Sequence, residues 1–394
     1  MYILTREKWK EQSDQVQSAM EHAIAEKRNA GSSLLVWDRD GEIGYREAGY
    51  ADRETGRRIR RDDIFRCYSM TKPVTSCAVM MLVEEGRLDL YAPVSRYIPS
   101  FRNPRIAAEG GSVPAGREAM VLDLMNMTSG LAYDGTDTVV HRAMAALFEE
   151  ATARMHSEHP MTTQEFASRV GECPVLFTPG SQWNYSVCAD VLGAIVEIVS
   201  GMRFAQFVSE RILQPLGMQD SGFSVPDAKK GRLVTAYERR EFPDGHAEAV
   251  PYTGNHLAIS NTGDENAFHS GGAGLFSTID DFNRFARMLM RMGTDETGKR
   301  LLREGTVRFM TGHAHCRVAG WDGHEGYAYG NLFHVMVDPE AACTPANRGE
   351  YGWDGWLGTY FMNDPQTGLT LLLMQNRKDG GNDLVHILRN ILLL

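Results

Sequence analysis

No stretch of the sequence stays apolar for the roughly 18 residues that a membrane-crossing helix needs. The opening residues, MYILTREKWKEQSDQ, turn polar after four, whereas a secretory leader has a basic start and an apolar stretch of about 7–15 residues. These absences lead us to expect a cytoplasmic protein with no membrane partner. Cysteine is sparse: Cys67, Cys77, Cys173, Cys188, Cys316 and Cys343 are scattered and form no Cys-x-x-Cys pair. In a large intracellular chain this spacing reads as free, mostly buried thiols. Positive charge is in deficit, with a formal net charge of −10 and a pI of about 5.7. That balance argues against nucleic acid as a partner. Neither a Gly-x-Ser-x-Gly elbow nor a phosphate-binding glycine loop is present, which sets aside an α/β-hydrolase and a nucleotide-binding P-loop. The His-x-His-x-Asp-His pattern of a zinc site is also missing. His313 and His315 in GHAHC read as loop histidines, so neither metal nor cofactor is expected. His269, in AFHSGGAG, has no evident charge partner.

What is there is a 394-residue chain, 43% hydrophobic and 23% charged, long enough for one or two domains with a sizeable core. Residues 6–29 place Trp9, Val16, Met20, Ala23 and Ile24 at the spacing of an amphipathic helix. SSLLVWDRDGEIGYREAGYAD reads as two strands joined at Asp40-Gly41. Near the other end, YAYGNLFHVMVDP, EYGWDGWLGTYFMNDP and GLTLLLMQNR are three strand-like segments, and the apolar helix DLVHILRNILLL follows. The stretch between is mostly helical. One segment there, STIDDFNRFARMLMRMG, opens with Thr278 and Asp281 spaced like a capping box. Strands at both ends with helices between suggest an α+β architecture. One antiparallel sheet would be built from residues 1–66 and 325–394, and a mostly helical domain, 67–324, would be inserted between.

The segment RCYSMTKPVTS, 66–76, carries the strongest chemical signal. A proline is tolerated only in the first turn of a helix, where N–H groups lack intrahelical partners. Pro73 therefore puts a helix start close to Ser69. Ser69 and Lys72 then lie one turn apart on one face, and the serine sits at the positive end of the helix dipole. Its own N–H is left without a helical acceptor and is able to donate to an oxyanion. A serine nucleophile with a lysine base needs this arrangement. The same four residues also describe a capped helix with a solvated lysine. A lysine of ordinary pKa, about 10.4, is a poor base at neutral pH unless it is desolvated or shares its proton. Tyr185, in FTPGSQWNYSVCAD, offers a second titrating group, although a buried structural tyrosine would look the same.

The order of further motifs resembles the serine hydrolases related to class C β-lactamases, D-alanyl-D-alanine carboxypeptidases and family VIII esterases. YSMTK matches their Ser-x-x-Lys element. LMNMTSGL (124–131) is similar to Leu-x-x-His-Thr-Ser-Gly-Leu, and FTPGSQWNYS matches the stretch that ends in their tyrosine. ILQPLGMQDSGF (212–223) and GGAGLFSTIDDFNRF (271–285) continue the likeness. The resemblance implies a β-lactamase/transpeptidase-like fold and an acyl-enzyme route with Ser69, Lys72 and Tyr185 as catalytic residues. Two departures stand out. The chain has no Lys-Thr-Gly; GWDGWLGTYFMNDP stands in its place, so Trp353, Asp354 and Gly355 are expected to border the substrate, and the backbone N–H of Trp356 is expected to be the second oxyanion donor. Many relatives have Tyr-x-Asn, but here Val187 follows Tyr185-Ser186 and cannot make the amide contact to a peptide-like substrate. The implied function is hydrolysis of small carboxylic esters. Acyl transfer, D-amino-acid peptide or amide cleavage, weak β-lactam turnover and a silent ligand-binding role stay open beside it.

Overall fold

The computed structural model describes residues 1–108, 110–312, 325–378 and 383–394. His313, His315 and Cys316 lie outside the described residues. The amphipathic start forms α1 (Arg6–Ala25), capped by Thr5, whose side chain accepts from the Lys8 N–H. The chain then forms β1 (Gly31–Trp37), β2 (Glu42–Asp52) and the short β3 (Arg57–Arg58).

The far end supplies β4 (Tyr327–Gly330), β5 (Phe333–Met336), β6 (Tyr351–Asp354), β7 (Tyr360–Asp364) and β8 (Leu369–Gln375). Two of the three strand-like segments are thus folded back as hairpins. In one the turn is at Asn331-Leu332, both residues with positive φ (52° and 66°). Gly330-Asn331 signals such a turn only in part, because αL is open to Asn and costly for Leu.

The eight strands form one sheet in the order β4-β5-β6-β7-β8-β1-β2-β3. The two chain ends meet where β1 pairs antiparallel with β8, Ser32 opposite Gln375 and Trp37 opposite Thr370. Side chains alternate across the sheet. Leu34, Val36, Tyr360, Met362, Leu371 and Leu373 face α1 and α7 (Asp383–Leu393). Leu35, Phe361, Leu372 and Met374 face the large core of the helical region. Both faces are covered, so β8 reads as the near-continuous apolar run LTLLLMQ. Each such side chain contributes about 1.5–3 kcal/mol on burial.

The helical region contains α2 (Thr71–Glu84), α3 (Val139–Arg154), α4 (Thr163–Glu172), α5 (Cys188–Ser200) and α6 (Ile279–Met290). α2 runs through its centre, with every residue from Thr71 to Leu82 buried. α6 packs on the sheet, with Phe282 and Phe361 rings 5.2 Å apart. Its expected capping box is half made. Thr278 Oγ1 accepts from the Asp281 N–H, but the Asp281 carboxylate turns away to accept from Asp220 N–H and Ser221 Oγ. Among the described residues no single helix is long and apolar enough to cross a membrane.

Five cysteines, Cys67, Cys77, Cys173, Cys188 and Cys343, are described and none is in a disulfide. Thiol titration of the denatured, unreduced protein is therefore expected to give six free thiols, the number in the sequence. A count two lower would reveal a disulfide and an oxidising compartment.

Candidate active site

A 3-10 turn, Tyr68–Met70, leads into α2 and carries Ser69. Tyr68 holds a φ of 42°, a region that bulky residues seldom adopt. Strain of this kind costs about 1–3 kcal/mol and persists only where packing over-determines it. Here the Tyr68 ring is wedged 5.0 Å from Trp356 and 6.0 Å from His256. Pro73 is the third residue of α2, inside the first turn, as its missing N–H requires.

Lys72 is fully buried rather than solvated. Its Nζ stands 3.1 Å from Ser69 Oγ and donates to Tyr133 Oη at 2.9 Å and to the Gly272 carbonyl at 3.0 Å. Burial pulls its pKa down to about 7, against smaller opposing pulls from Asp190, Asp354 and Cys188. Tyr185 Oη donates to Ser69 Oγ at 2.7 Å. Burial pushes the Tyr185 phenol well above its ordinary range, while hydrogen bonds to Ser69 and Trp353 act the other way. Ser69 Oγ thus lies between a lysine poised to lose its proton near neutrality and a tyrosine that keeps its own.

The turn between β6 and β7 is pressed against the chain just before Ser69. Thr359 Oγ1 donates to the Cys67 carbonyl at 3.1 Å. A Cβ on Gly355 would come within 2.3 Å of that same carbonyl, so only glycine fits. Trp356 follows in the turn, and among the described residues its N–H has no acceptor. The Ser69 N–H sits in the first turn of its helix, where no intrahelical partner is available. Both expected oxyanion donors therefore flank the point where residues 67–69 meet 355–356.

Trp353 and Asp354 part company. Trp353 lies opposite Phe361 and faces the helical core, where its Nε1 donates to Tyr185 Oη at 3.4 Å. A neutral indole N–H therefore faces the tyrosine. Asp354 lies opposite Tyr360, on the α1/α7 side of the sheet. It lines a cavity of about 630 Å³ there with Tyr327, His334 and Arg389. The expectation that its side chain borders the substrate is therefore corrected: strand alternation sends adjacent side chains to opposite faces.

The sequence matches the Beta-lactamase family over residues 16–394. The chain belongs to that family. Esterase EstB of Burkholderia gladioli is 35% identical over 377 residues, covering 91% of this chain and 89% of the relative. A putative D-alanyl-D-alanine carboxypeptidase of Salmonella enteritidis is 25% identical over 366 residues, covering 88% and 78%. Among solved structures, EstCE1, described as a hydrolase with promiscuous acyltransferase activity, matches with a TM-score of 0.79 at 26% identity, covering 97% of this chain and 98% of that one. The chain is accordingly a hydrolase of the serine-hydrolase superfamily with a β-lactamase/transpeptidase-like fold.

Within this family member, sequence reasoning missed Tyr133, Gly272 and Asp190. Tyr133 lies two residues past the LMNMTSGL motif, and its ring packs 5.3 Å from Tyr185. Nothing in its local pattern marks a polar contact to a lysine 61 positions away. Val187 is buried as the N-cap residue of α5. His269 is not a cleft residue. It is buried against Phe223, with Nδ1 4.0 Å from Glu197, and burial lowers its pKa to about 4. A cavity of about 390 Å³ lies between α3 (Phe148, Glu149, Thr152) and the loop Asn255, His256, Leu257, with Asp134 on its wall. His256 stacks on Trp356 with ring centroids 4.0 Å apart.

Proposed function

We propose that the protein hydrolyses small, uncharged carboxylic esters through an acyl-enzyme on Ser69. The observation that carries this reading is the convergence of Lys72 Nζ (3.1 Å) and Tyr185 Oη (2.7 Å) on one serine oxygen. Neutral Lys72 takes the Ser69 proton as Oγ attacks the ester carbonyl. The carbonyl oxygen, now negative, is held by the N–H groups of Ser69 and Trp356. As the tetrahedral intermediate collapses, the C–O bond to the alcohol breaks. Tyr185 gives its proton to the leaving alkoxide and recovers one from Lys72, so charge and protons balance. Water then attacks the acyl group by the same steps in reverse, releasing the acid and restoring the Ser69 hydroxyl. The likeness to esterase EstB supports an ester over an amide, and buried Val187 offers nothing to a peptide. A second reading, transfer of the acyl group to an alcohol other than water, is favoured by the described activity of EstCE1.

The test is to incubate the purified protein with a p-nitrophenyl alkylphosphonate and map the adduct. A mass increase confined to Ser69, with loss of p-nitrophenyl butyrate hydrolysis, is expected. A folded protein with no adduct and no ester turnover would point to a ligand-binding role.

The pH dependence follows from Lys72. Its base form is the neutral one, and its pKa is about 7. Protonation below that value removes the base. kcat/KM for a neutral ester is therefore expected to rise with pH through about 7 and level off above it, and an activity flat down to pH 5 would contradict lysine as the base.

A further inference from the structure

Beneath Lys72 lies a carboxylate that the acyl-enzyme steps do not use. Asp190 is the third residue of α5 and only 1% exposed. Oδ1 accepts hydrogen bonds from Ser270 Oγ and from the Gly272 N–H, the latter at 3.2 Å. Ser270 Oγ is itself fixed by accepting from the Ala273 N–H at 2.9 Å. The Gly272 peptide is the link upward, because its carbonyl accepts from Lys72 Nζ at 3.0 Å. The packing around it is close. A Cβ on Gly272 would come 2.7 Å from Asp190 Oδ2 and 2.9 Å from Tyr133 Oη, so both groups converge on the glycine that receives the lysine. An acid near the start of a helix is also favoured by the helix dipole.

We propose that Asp190 is a positioning residue for the Ser69 chemistry: its carboxylate, held by Ser270 Oγ and the Gly272 N–H, fixes the peptide whose carbonyl receives Lys72 Nζ and stands behind it as the counter-charge of that lysine. The inference rests on the acyl-enzyme reading, and it explains how an ammonium as deeply buried as Lys72 is held at all. Burial alone drives a lysine far below its ordinary pKa, and an opposite charge nearby restores part of the loss. The groups that act on Lys72 are few. Tyr133 and Tyr185 keep their protons, since burial raises both phenols. Burial likewise pushes the Cys188 thiol up to about 11, so it is neutral. Asp354 acts from the other face of the sheet and ranks behind Asp190 in its pull. Asp190 is itself raised by burial, and Ser270, Lys72 and the Gly272 N–H oppose that rise.

The experiment is the pH profile of kcat/KM for p-nitrophenyl butyrate in Asp190→Asn, beside Ser270→Ala and Asp354→Asn. The amide of asparagine still accepts from Ser270 and Gly272 but carries no charge. Lys72 then holds its proton less well, so the acid limb is expected to move to lower pH by about one unit or more, with the plateau changed less than about tenfold. Ser270→Ala weakens the anion and should move the limb the same way by less. Asp354→Asn should move it least. An acid limb unmoved, or moved upward, in a folded Asp190→Asn protein overturns the proposal; if that variant does not fold, the Ser270→Ala limb decides by the same sign. The acyl-enzyme reading is judged separately by Ser69→Ala, so failure of one is distinguishable from failure of the other.

Discussion

Replacing Ser69 with alanine is expected to lower ester turnover by at least about four orders of magnitude, because loss of a covalent nucleophile leaves only binding and oxyanion stabilisation. No hydroxyl near Lys72 takes over. Tyr133 Oη lies 2.9 Å from Nζ, but desolvation raises its phenol well above the ordinary range, so it keeps its proton. Lys72→Ala and Tyr185→Phe should each cost about two to four orders of magnitude, the usual worth of positioned acid–base groups. Their effects should not add. Both side chains bond the same Ser69 Oγ and pass the same proton, so the double variant should be little slower than the worse single one. Steady-state kinetics of the four proteins, each checked for folding by circular dichroism, reads this out. Retention of more than about a hundredth of the activity in Ser69→Ala would sink the mechanism.

The second large effect concerns what the site rejects. The family resemblance implies that a Lys-Thr-Gly strand would offer a cation and a hydroxyl to a substrate carboxylate. Here the strand presents Trp353, whose Nε1 is turned to Tyr185 Oη at 3.4 Å. A lost charge-assisted hydrogen bond costs about 1.5–3 kcal/mol, which is one to two decades in rate. Short-chain p-nitrophenyl esters should accordingly show kcat/KM at least about a hundredfold above penicillin or nitrocefin. Repulsion by Asp354 is not part of the reason, because that carboxylate points to the opposite face. Comparing the p-nitrophenyl monoester of succinate with the butyrate isolates the carboxylate from the β-lactam ring, and the succinate should be the poorer substrate. Trp353→Lys should recover about tenfold of that deficit at some cost in stability, since Trp353 is buried among Tyr185, Tyr329 and His334. Rapid penicillin turnover beside negligible ester turnover would reverse the assignment of this strand.

Much of this was legible in the chain because it depends on neighbours in sequence. Helical period and a first-turn proline are local, so α1 and the start of α2 could be read directly, and Ser69 and Lys72 came with them. Alternation is local too. The pairing of chain ends followed from where strand patterns fall, and the order of motifs identified the family. Strand count was harder, since the turn at Asn331-Leu332 puts a leucine rather than a glycine at its second positive-φ position. Features that depend on groups brought together from far along the chain were set by the packed fold instead. Lys72 became a base of pKa about 7 because α2 is buried on every side, and burial is a property of the whole packed core. Tyr133, Gly272 and Asp190 reach it from 61, 200 and 118 positions away, each from a segment whose own pattern is ordinary. The direction in which Asp354 points was set by register against β7, where a shift of one residue exchanges the two faces of a strand.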